Sequence, residues 1–537
     1  MNTTSRDLMR PMVPFIFLPQ KSRTFYPLFG LFLLFFTLVL PGLPAAQTND
    51  NNTLRVAYFS QDPPAISPLT TSFDPDSYAV ITQIFDSLIH LDLEGNIQPA
   101  LATHWQKKTP THWVFNLRQG VRFHNGEPFD GHAVKFTYET ALNPLNQSGN
   151  SWILNSIKSI EVEPDNPYLL HIHTHFPDGM FLNRFSMFGS ICPPQYIQQV
   201  GLEAFAKHPI GTGPYRFVDW QRGKSITLKK NIDYWKKNIP HIETIQFVVI
   251  PDQKWADAFL QGEVDFIPNL AGNQTSRLMQ ITEGRARILK KLVLSSYWVM
   301  VQNRGVLADR RVRQALNHAL NKKDLVRFAD QGNAIPMASM GKRGEFGRNP
   351  QLKPYPYNPS RAKALLQEAG VKGPITLTVL VADLSHPVAR IMKENFSQVG
   401  IDLALTVVSR SVLTKWVVEH KLKTGVPIDY DLVISLVDNP LYSLAFHAGL
   451  LLHSQSPWSL LNHAPFDAAY EKALRIHDPV IHRQRLEHLD TLIHQEALMI
   501  FTTQRILTAA IDRRIQIPTF STSGHLDYEV LTTATFK

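Results

Sequence analysis

The chain has 537 residues, of which 44% are hydrophobic and 18% are charged, so it is neither disordered nor fibrous and is too long for a single core. Its formal net charge of +9 is a mild excess for this length, and no run of clustered Lys and Arg with interleaved aromatic residues accompanies it. Composition and charge therefore predict two or more lobes and argue against a nucleic-acid partner.

The N-terminal region has the pattern of a secretory leader. Basic residues up to Arg23 precede an apolar run at 28–40, and the small pair Ala45-Ala46 follows. The run is shorter than the roughly 20 residues of a membrane helix, which favours a cleaved signal peptide. Pro44 makes the cleavage site imperfect, so an uncleaved anchor remains an alternative. Cys192 is the only cysteine, which excludes a lipoprotein anchor and an internal disulfide. We predict a periplasmic protein.

The first part of the mature chain predicts a strand and a helix. Leu54, Val56 and Tyr58 alternate with polar or small residues as in a half-buried strand. A Pro-rich loop at 62–69 leads into an apolar stretch at 77–89, which predicts a helix.

The stretch 98–142 predicts strand, turn, strand, turn, helix. Its first strand is centred on 113–117, and a second short strand at 121–124 ends at the turn-forming Asn125-Gly126. Asp130 is a predicted N-cap for the helix that follows.

Three histidines follow in a predicted strand. His171, His173 and His175 alternate and are expected on one face. Neighbouring members would lie about 7 Å apart and the outer pair roughly 13 Å apart, so the three cannot share one ion without other ligands. They are weak metal candidates, and a solvent-facing polar strand is the favoured interpretation.

A Gly-rich segment at 211–217 reads G-T-G-P-Y-R-F. A phosphate-binding loop is disfavoured, because Pro214 removes an amide and a strand follows instead of a helix.

From residue 358 onward the pattern is that of an α/β layer. A helix stops at Gly370, and apolar strands at 375–379, 403–407 and 430–437 alternate with helices. Such an order predicts a parallel sheet, whose ligands bind beyond the carboxyl ends of the strands. Asp438 and Asn439 emerge at that end of the third strand.

Three segments carry a resemblance to a known family. They are P-A-L-A-x-x-W followed by W-x-F-x-L-R-x-G-V-x-F-H-x-G-x-P-F and A-V-x-F-x-Y, then G-T-G-P-Y-x-F, then R-x-V-R-Q-A-L-N-H-A-L at 310–320. This order resembles the family 5 extracellular solute-binding proteins, the peptide- and nickel-binding receptors of ABC importers. Ala133 stands where that family usually has an acidic residue.

The resemblance implies a bilobal α/β fold of the periplasmic-binding-protein type (class II), with a hinge and an extra subdomain. The inter-lobe crossings are expected near Tyr297 and Phe501. The predicted organisation is a signal peptide (1–46), lobe I (47–90), an extra subdomain of lobe I (91–208), lobe I again (209–297), lobe II (298–500) and a return to lobe I (501–537).

It also implies a site and a function. Asp438 would pair with a peptide's terminal ammonium, although a loop-capping role is equally open. The other predicted ligand-binding residues are Asn439, Tyr58, Tyr297 and Trp298. We expect a monomeric, non-enzymatic receptor without a cofactor, which captures an oligopeptide or similar solute by closure of two lobes and delivers it to permease subunits in the inner membrane.

Two alternatives stay open. A receptor for nickel chelate or haem would draw on histidines near the predicted cleft loop, namely His447, His453 and His463. A secreted hydrolase is less favoured, because no nucleophile elbow, H-E-x-x-H motif or partnered cysteine is found.

Overall fold

The computed structural model describes residues 52–59, 62–63, 65–71, 75–146, 148, 151–270, 272–281, 284–476, 478–517, 522–523 and 528–537, except the side chains of residues 58, 59, 75, 152, 272, 273, 281, 528 and 529. The predicted leader at 1–46 lies outside these residues. Within the described ranges, no helix has both the length and the apolar character needed to cross a bilayer.

Strands and helices are interspersed along the chain. In chain order the strands are β1 (Thr53–Phe59), β2 (Ile89–Leu91), β3 (Ile97–Pro99), β4 (Ala102–Thr109), β5 (His112–Leu117), β6 (Ile157–Glu163), β7 (Asn166–Thr174), β8 (Tyr215–Gln221), β9 (Ser225–Lys230), β10 (Thr244–Val249), β11 (Phe266–Ile267), β12 (Ala286–Val301), β13 (Ala334–Pro336), β14 (Ile375–Ala382), β15 (Ile401–Val408), β16 (Leu432–Asp438), β17 (Met499–Ile500), β18 (Thr503–Asp512), β19 (Ile515–Gln516) and β20 (Thr535–Phe536). The helices are α1 (Pro75–Ile84), α2 (Gly131–Leu142), α3 (Ser151–Leu154), α4 (Phe181–Phe188), α5 (Pro194–Lys207), α6 (Trp255–Gln261), α7 (Gly272–Ile281), α8 (Arg310–Ala319), α9 (Lys322–Asp324), α10 (Pro359–Glu368), α11 (His386–Ser397), α12 (Arg410–Thr424), α13 (Leu444–Leu452), α14 (Ala464–Leu474), α15 (Pro479–Gln495) and α16 (Tyr528–Thr532).

One large sheet runs through the chain in the order β15-β14-β16-β12-β18-β11-β1-β10-β9-β8. At one end, β14 pairs in parallel with both β15 and β16, which confirms the parallel layer predicted from residue 358 onward. The run from Val379 to Val381 is fully buried, as expected of a strand covered on both faces. At the other end, β1 pairs in parallel with β10 and β11.

Strand β12 joins these two parts of the sheet. Its first half, from Ala286 to Leu292, pairs antiparallel with β18, and its second half, from Ser295 to Val301, pairs antiparallel with β16. The register with β18 shifts between Leu292 and Ser296. Both predicted crossings, near Tyr297 and Phe501, thus lie at or beside strands that link the two parts. The division of the chain into six segments stays a prediction.

The segment predicted as strand, turn, strand, turn, helix is confirmed except for its second strand. β5 lies in a four-stranded sheet of order β4-β5-β7-β6, and the Asp130 carboxylate caps α2 by accepting from the backbone N–H of His132 at 2.8 Å. The strand predicted at 121–124 was wrong. Only a bridge between Arg122 and Pro128 forms there, because the segment is confined between two turns.

Two further element predictions needed correction. The helix predicted at 77–89 ends at Ile84, because the segment from Ile89 pairs as β2 with β3 in a short hairpin. The sequence also predicts a final strand at 531–536. Its first two residues instead belong to α16, which extends to Thr532, and only Thr535–Phe536 forms a strand, paired with β19.

Candidate ligand-binding site

Asp438 is the last residue of β16, at the carboxyl end of the parallel strands. It lies directly opposite Ser295 of β12 in the sheet register. Its side chain is half-buried, and within the described ranges its carboxylate makes no hydrogen bond or ion pair. A partly desolvated carboxylate without a partner in the protein can form an ion pair with a cationic group of a ligand.

Strand alternation separates the predicted site residues into two sets. Tyr297 packs with Val299 in one core cluster, whereas Trp298 packs with Met300 in another, so the two rings point to opposite faces of β12. By the same alternation Asp438 shares the face of Tyr297, and Asn439 shares the face of Trp298. The five predicted residues therefore do not line one binding surface together.

Tyr297 is mainly a core residue and offers little surface to a ligand. It is 8% exposed, its carbonyl accepts from the Thr502 hydroxyl, and its ring faces the Arg505 guanidinium at 5.8 Å. Burial raises the pKa of its phenol. The backbone of Tyr58 lies in β1, and its side chain is outside the described residues.

Beneath the Asp438 backbone lies a buried polar network that the sequence did not predict. Its members are Lys342, Glu345 and His447, whose side chains are all 0% exposed. The Lys342 ammonium lies 3.0 Å from Glu345 Oε1 and 3.2 Å from His447 Nδ1. His447 Nε2 lies 3.1 Å from the Asp438 carbonyl oxygen.

Asn439 and Trp298 complete this network. Both amide hydrogens of Asn439 are used, one on Glu345 Oε1 at 2.7 Å and one on the Ser443 carbonyl at 2.8 Å. The Trp298 ring lies edge-on to His447 at 4.1 Å and 5.1 Å from the Lys342 ammonium. These two predicted ligand-binding residues are thus packed inside the protein, under the loop and not on its surface.

The histidines proposed for a metal or haem ligand do not converge. His447 has both ring nitrogens bonded within the protein, and His463 Nδ1 caps α14 by accepting from the Phe466 N–H at 3.1 Å. His453 lies 3.4 Å from Glu471.

The three alternating histidines contact other side chains of the four-stranded sheet. His171 contacts His112 at 3.0 Å and Glu163 at 3.2 Å, and His112 stacks on His173 with ring centroids 4.2 Å apart. Burial, then the neighbouring histidines, lower the pKa of His112. His175 lies beyond the end of β7. In the part of the chain that the structure describes, no three His, Cys, Asp or Glu side chains are placed to hold a metal ion.

The loop after Asp438 contacts the range predicted as the extra subdomain. Tyr442 has a positive φ of 55° and packs on Gly95, where an added Cβ would lie 2.2 Å from the Tyr442 ring. The Asn183 side chain donates to the Leu441 carbonyl at 3.1 Å. The candidate loop therefore lies between the range predicted as lobe II and the range predicted as the extra subdomain of lobe I.

Comparison with known proteins gives the family. The model of the bacterial extracellular solute-binding proteins, family 5 (middle), matches residues 96–430, more than half of the chain. The chain belongs to this family. This family 5 chain is also similar to the glutathione-binding protein GsiB of Pectobacterium atrosepticum, at 27% identity over 64% of this chain and 68% of the relative.

Solved structures share the fold of this family 5 protein. The periplasmic binding protein DppA of Helicobacter pylori, in complex with the peptide STSA, gives a TM-score of 0.77 at 22% identity and covers 90% of this chain and 98% of its own. NikZ of Campylobacter jejuni, in complex with Ni(L-His), gives 0.78 at 22% identity with coverages of 90% and 99%. The predicted bilobal periplasmic-binding-protein fold is confirmed, and the chain is a solute-binding component of an ABC transporter.

Proposed function

We propose that this family 5 protein captures short peptides, or similar solutes with a free ammonium group, and delivers them unchanged to a membrane permease. The observation that carries the choice of solute is the half-buried Asp438 carboxylate, which has no partner among the described side chains and lies at the carboxyl end of β16. The monomeric state, the cleaved signal peptide, the periplasmic location and the absence of a lipid anchor are parts of the same proposal.

The chemistry of this carboxylate favours a cation over a neutral group. A carboxylate that has lost part of its hydration gains most from a charge-assisted hydrogen bond to an ammonium group, about 1.5–3 kcal/mol. A peptide's backbone can add hydrogen bonds that do not depend on its sequence. Glutathione, the ligand named for the relative from Pectobacterium atrosepticum, also carries an α-ammonium group and fits the same anchor.

Isothermal titration of the chain from residue 47 tests this proposal. We expect at least one member of a panel of di- to pentapeptides and glutathione to bind. Asp438→Asn should weaken binding of that ligand ten- to hundredfold, because the amide lacks the charge that pairs with ammonium. The control is Asp165→Asn, which changes an exposed carboxylate in the turn between β6 and β7. It should leave affinity unchanged.

N-acetylation of the ligand supplies the matched chemical change. It should weaken binding to the native chain by a similar factor and add little to the effect of Asp438→Asn, since both changes remove the same ion pair. Equal affinity of Asp438→Asn and the native chain for the free-amino ligand would refute Asp438 as the anchor. If no peptide and no glutathione binds, the proposed solute class is wrong.

A further inference from the structure

The buried network under β16 contacts the Asp438 carbonyl oxygen and the Asn439 side chain, although none of its members contacts the Asp438 carboxylate itself. His447 Nε2 lies 3.1 Å from the Asp438 carbonyl, and the next side chain, Asn439, donates to Glu345 at 2.7 Å. The Asn439 N–H is held as well, by the Leu294 carbonyl of β12 at 2.9 Å. The peptide unit that follows Asp438 is therefore held at its carbonyl oxygen and at its N–H, and the side chain of Asn439 is held as well.

The direction of each hydrogen bond follows from the donors available. A lysine ammonium can only donate, so His447 Nδ1 must accept from Lys342. The ring is then the neutral tautomer with its proton on Nε2, and this N–H donates to the Asp438 carbonyl. Glu345 accepts from Lys342 through Oε1 at 3.0 Å, and its Oε2 accepts from the Lys342 backbone N–H at 2.9 Å.

We propose that His447 is a positioning residue that sets the selectivity of Asp438 for a free ammonium group; this inference rests on the proposed function. A fully paired buried network has a single low-energy arrangement, because any displacement leaves a charge or a donor unsatisfied. Within this network His447 is the residue that donates to the Asp438 carbonyl. It thereby fixes the backbone from which the carboxylate projects, and an ion pair is sensitive to that direction.

A purely structural network would have a different consequence. Its loss would loosen the whole site and weaken every ligand alike. A positioning network instead affects only the interaction that Asp438 makes, so the binding of a ligand without an ammonium group should not change.

Two substitutions of His447 separate its two hydrogen bonds. Glutamine places an amide nitrogen near the position of ring Nε2 and can still donate to the Asp438 carbonyl. Asparagine is shorter, reaches only the position of Nδ1 and cannot. Both remove the ring that packs against Trp298, so this contact is lost in both variants.

The test uses the free-amino ligand found by titration and its N-acetylated form. We expect His447→Asn to weaken binding of the free-amino ligand at least fivefold and to leave the acetylated ligand within twofold. His447→Gln should keep both within twofold. Equal loss for both ligands, or the same effect of Asn and Gln, would overturn the inference.

Hydrogen exchange provides a readout that needs no ligand. In His447→Asn, the backbone amide of Asn439 should exchange at least tenfold faster than in the native chain, while His447→Gln should keep the native rate. If no peptide binds but this difference is found, the proposed solute class fails and the positioning of Asp438 stands. If exchange is the same in both variants, the positioning inference fails whatever the chain binds.

Discussion

Lys342→Met is expected to lower the free energy of unfolding by about 3–5 kcal/mol, because it leaves the Glu345 carboxylate buried without its counter-charge. The two side chains are 0% exposed and 3.0 Å apart, so water cannot replace the lost ammonium. Methionine keeps most of the volume of lysine, which separates the charge effect from the effect of a cavity. Urea denaturation measures the change.

Two controls show whether charge is the cause. Lys342→Met/Glu345→Gln removes both charges and should recover most of the loss, since replacing a whole buried ion pair is often nearly neutral. Lys207→Met breaks an ion pair of 2.8 Å that is largely exposed, and should leave the free energy of unfolding nearly unchanged. If the double variant is no more stable than Lys342→Met, charge burial is not what destabilises the single variant.

Gly211→Ala is expected to cost about 3 kcal/mol, because the segment G-T-G-P packs directly on the end of α1. A Cβ at position 211 would lie 2.1 Å from the Ile84 carbonyl oxygen, and a backbone atom cannot rotate away. The same carbonyl accepts from the Gly213 N–H at 2.9 Å. This segment therefore acts as a scaffold that holds α1 in place, in agreement with the case against a phosphate loop.

Gly370→Ala is the control for backbone strain. Gly370 has a φ of +75°, and an added Cβ there would meet no atom within 4 Å, so only the left-handed conformation is penalised, by about 1–2 kcal/mol. Thermal or urea unfolding of both variants gives the comparison. A cost for Gly211→Ala no larger than that for Gly370→Ala would mean that α1 shifts to make room.

Much of the fold could be predicted from the sequence because burial follows a period. The apolar runs became the strands β14, β15 and β16, which pair in parallel, and the stop at Gly370 marks the end of α10. Short elements were missed where pairing or turn geometry overrides the period. Val121 and Phe123 are buried, yet the turns on either side leave no length for a strand.

The candidate site was harder to predict because its residues are distant in sequence and belong to different types of element, namely strands and irregular loops. Asp438 was predicted because it follows a buried strand at the edge of the sheet where ligands of such folds bind. Tyr297 and Trp298 were grouped as neighbours, although strand alternation sends them to opposite faces. Lys342 and Glu345 lie in a loop without periodicity, and their charge predicts exposure, so only the fold shows that they are buried beneath Asp438.

Small-angle X-ray scattering with and without ligand tests most directly whether this protein holds an ammonium-bearing solute by closing two lobes. We predict that a saturating free-amino peptide, shown by titration to bind, lowers the radius of gyration of the native chain. Asp438→Asn at the same peptide concentration should show a smaller decrease in the radius of gyration, because it is not saturated. Identical scattering of the native chain with and without a bound peptide would contradict capture by closure.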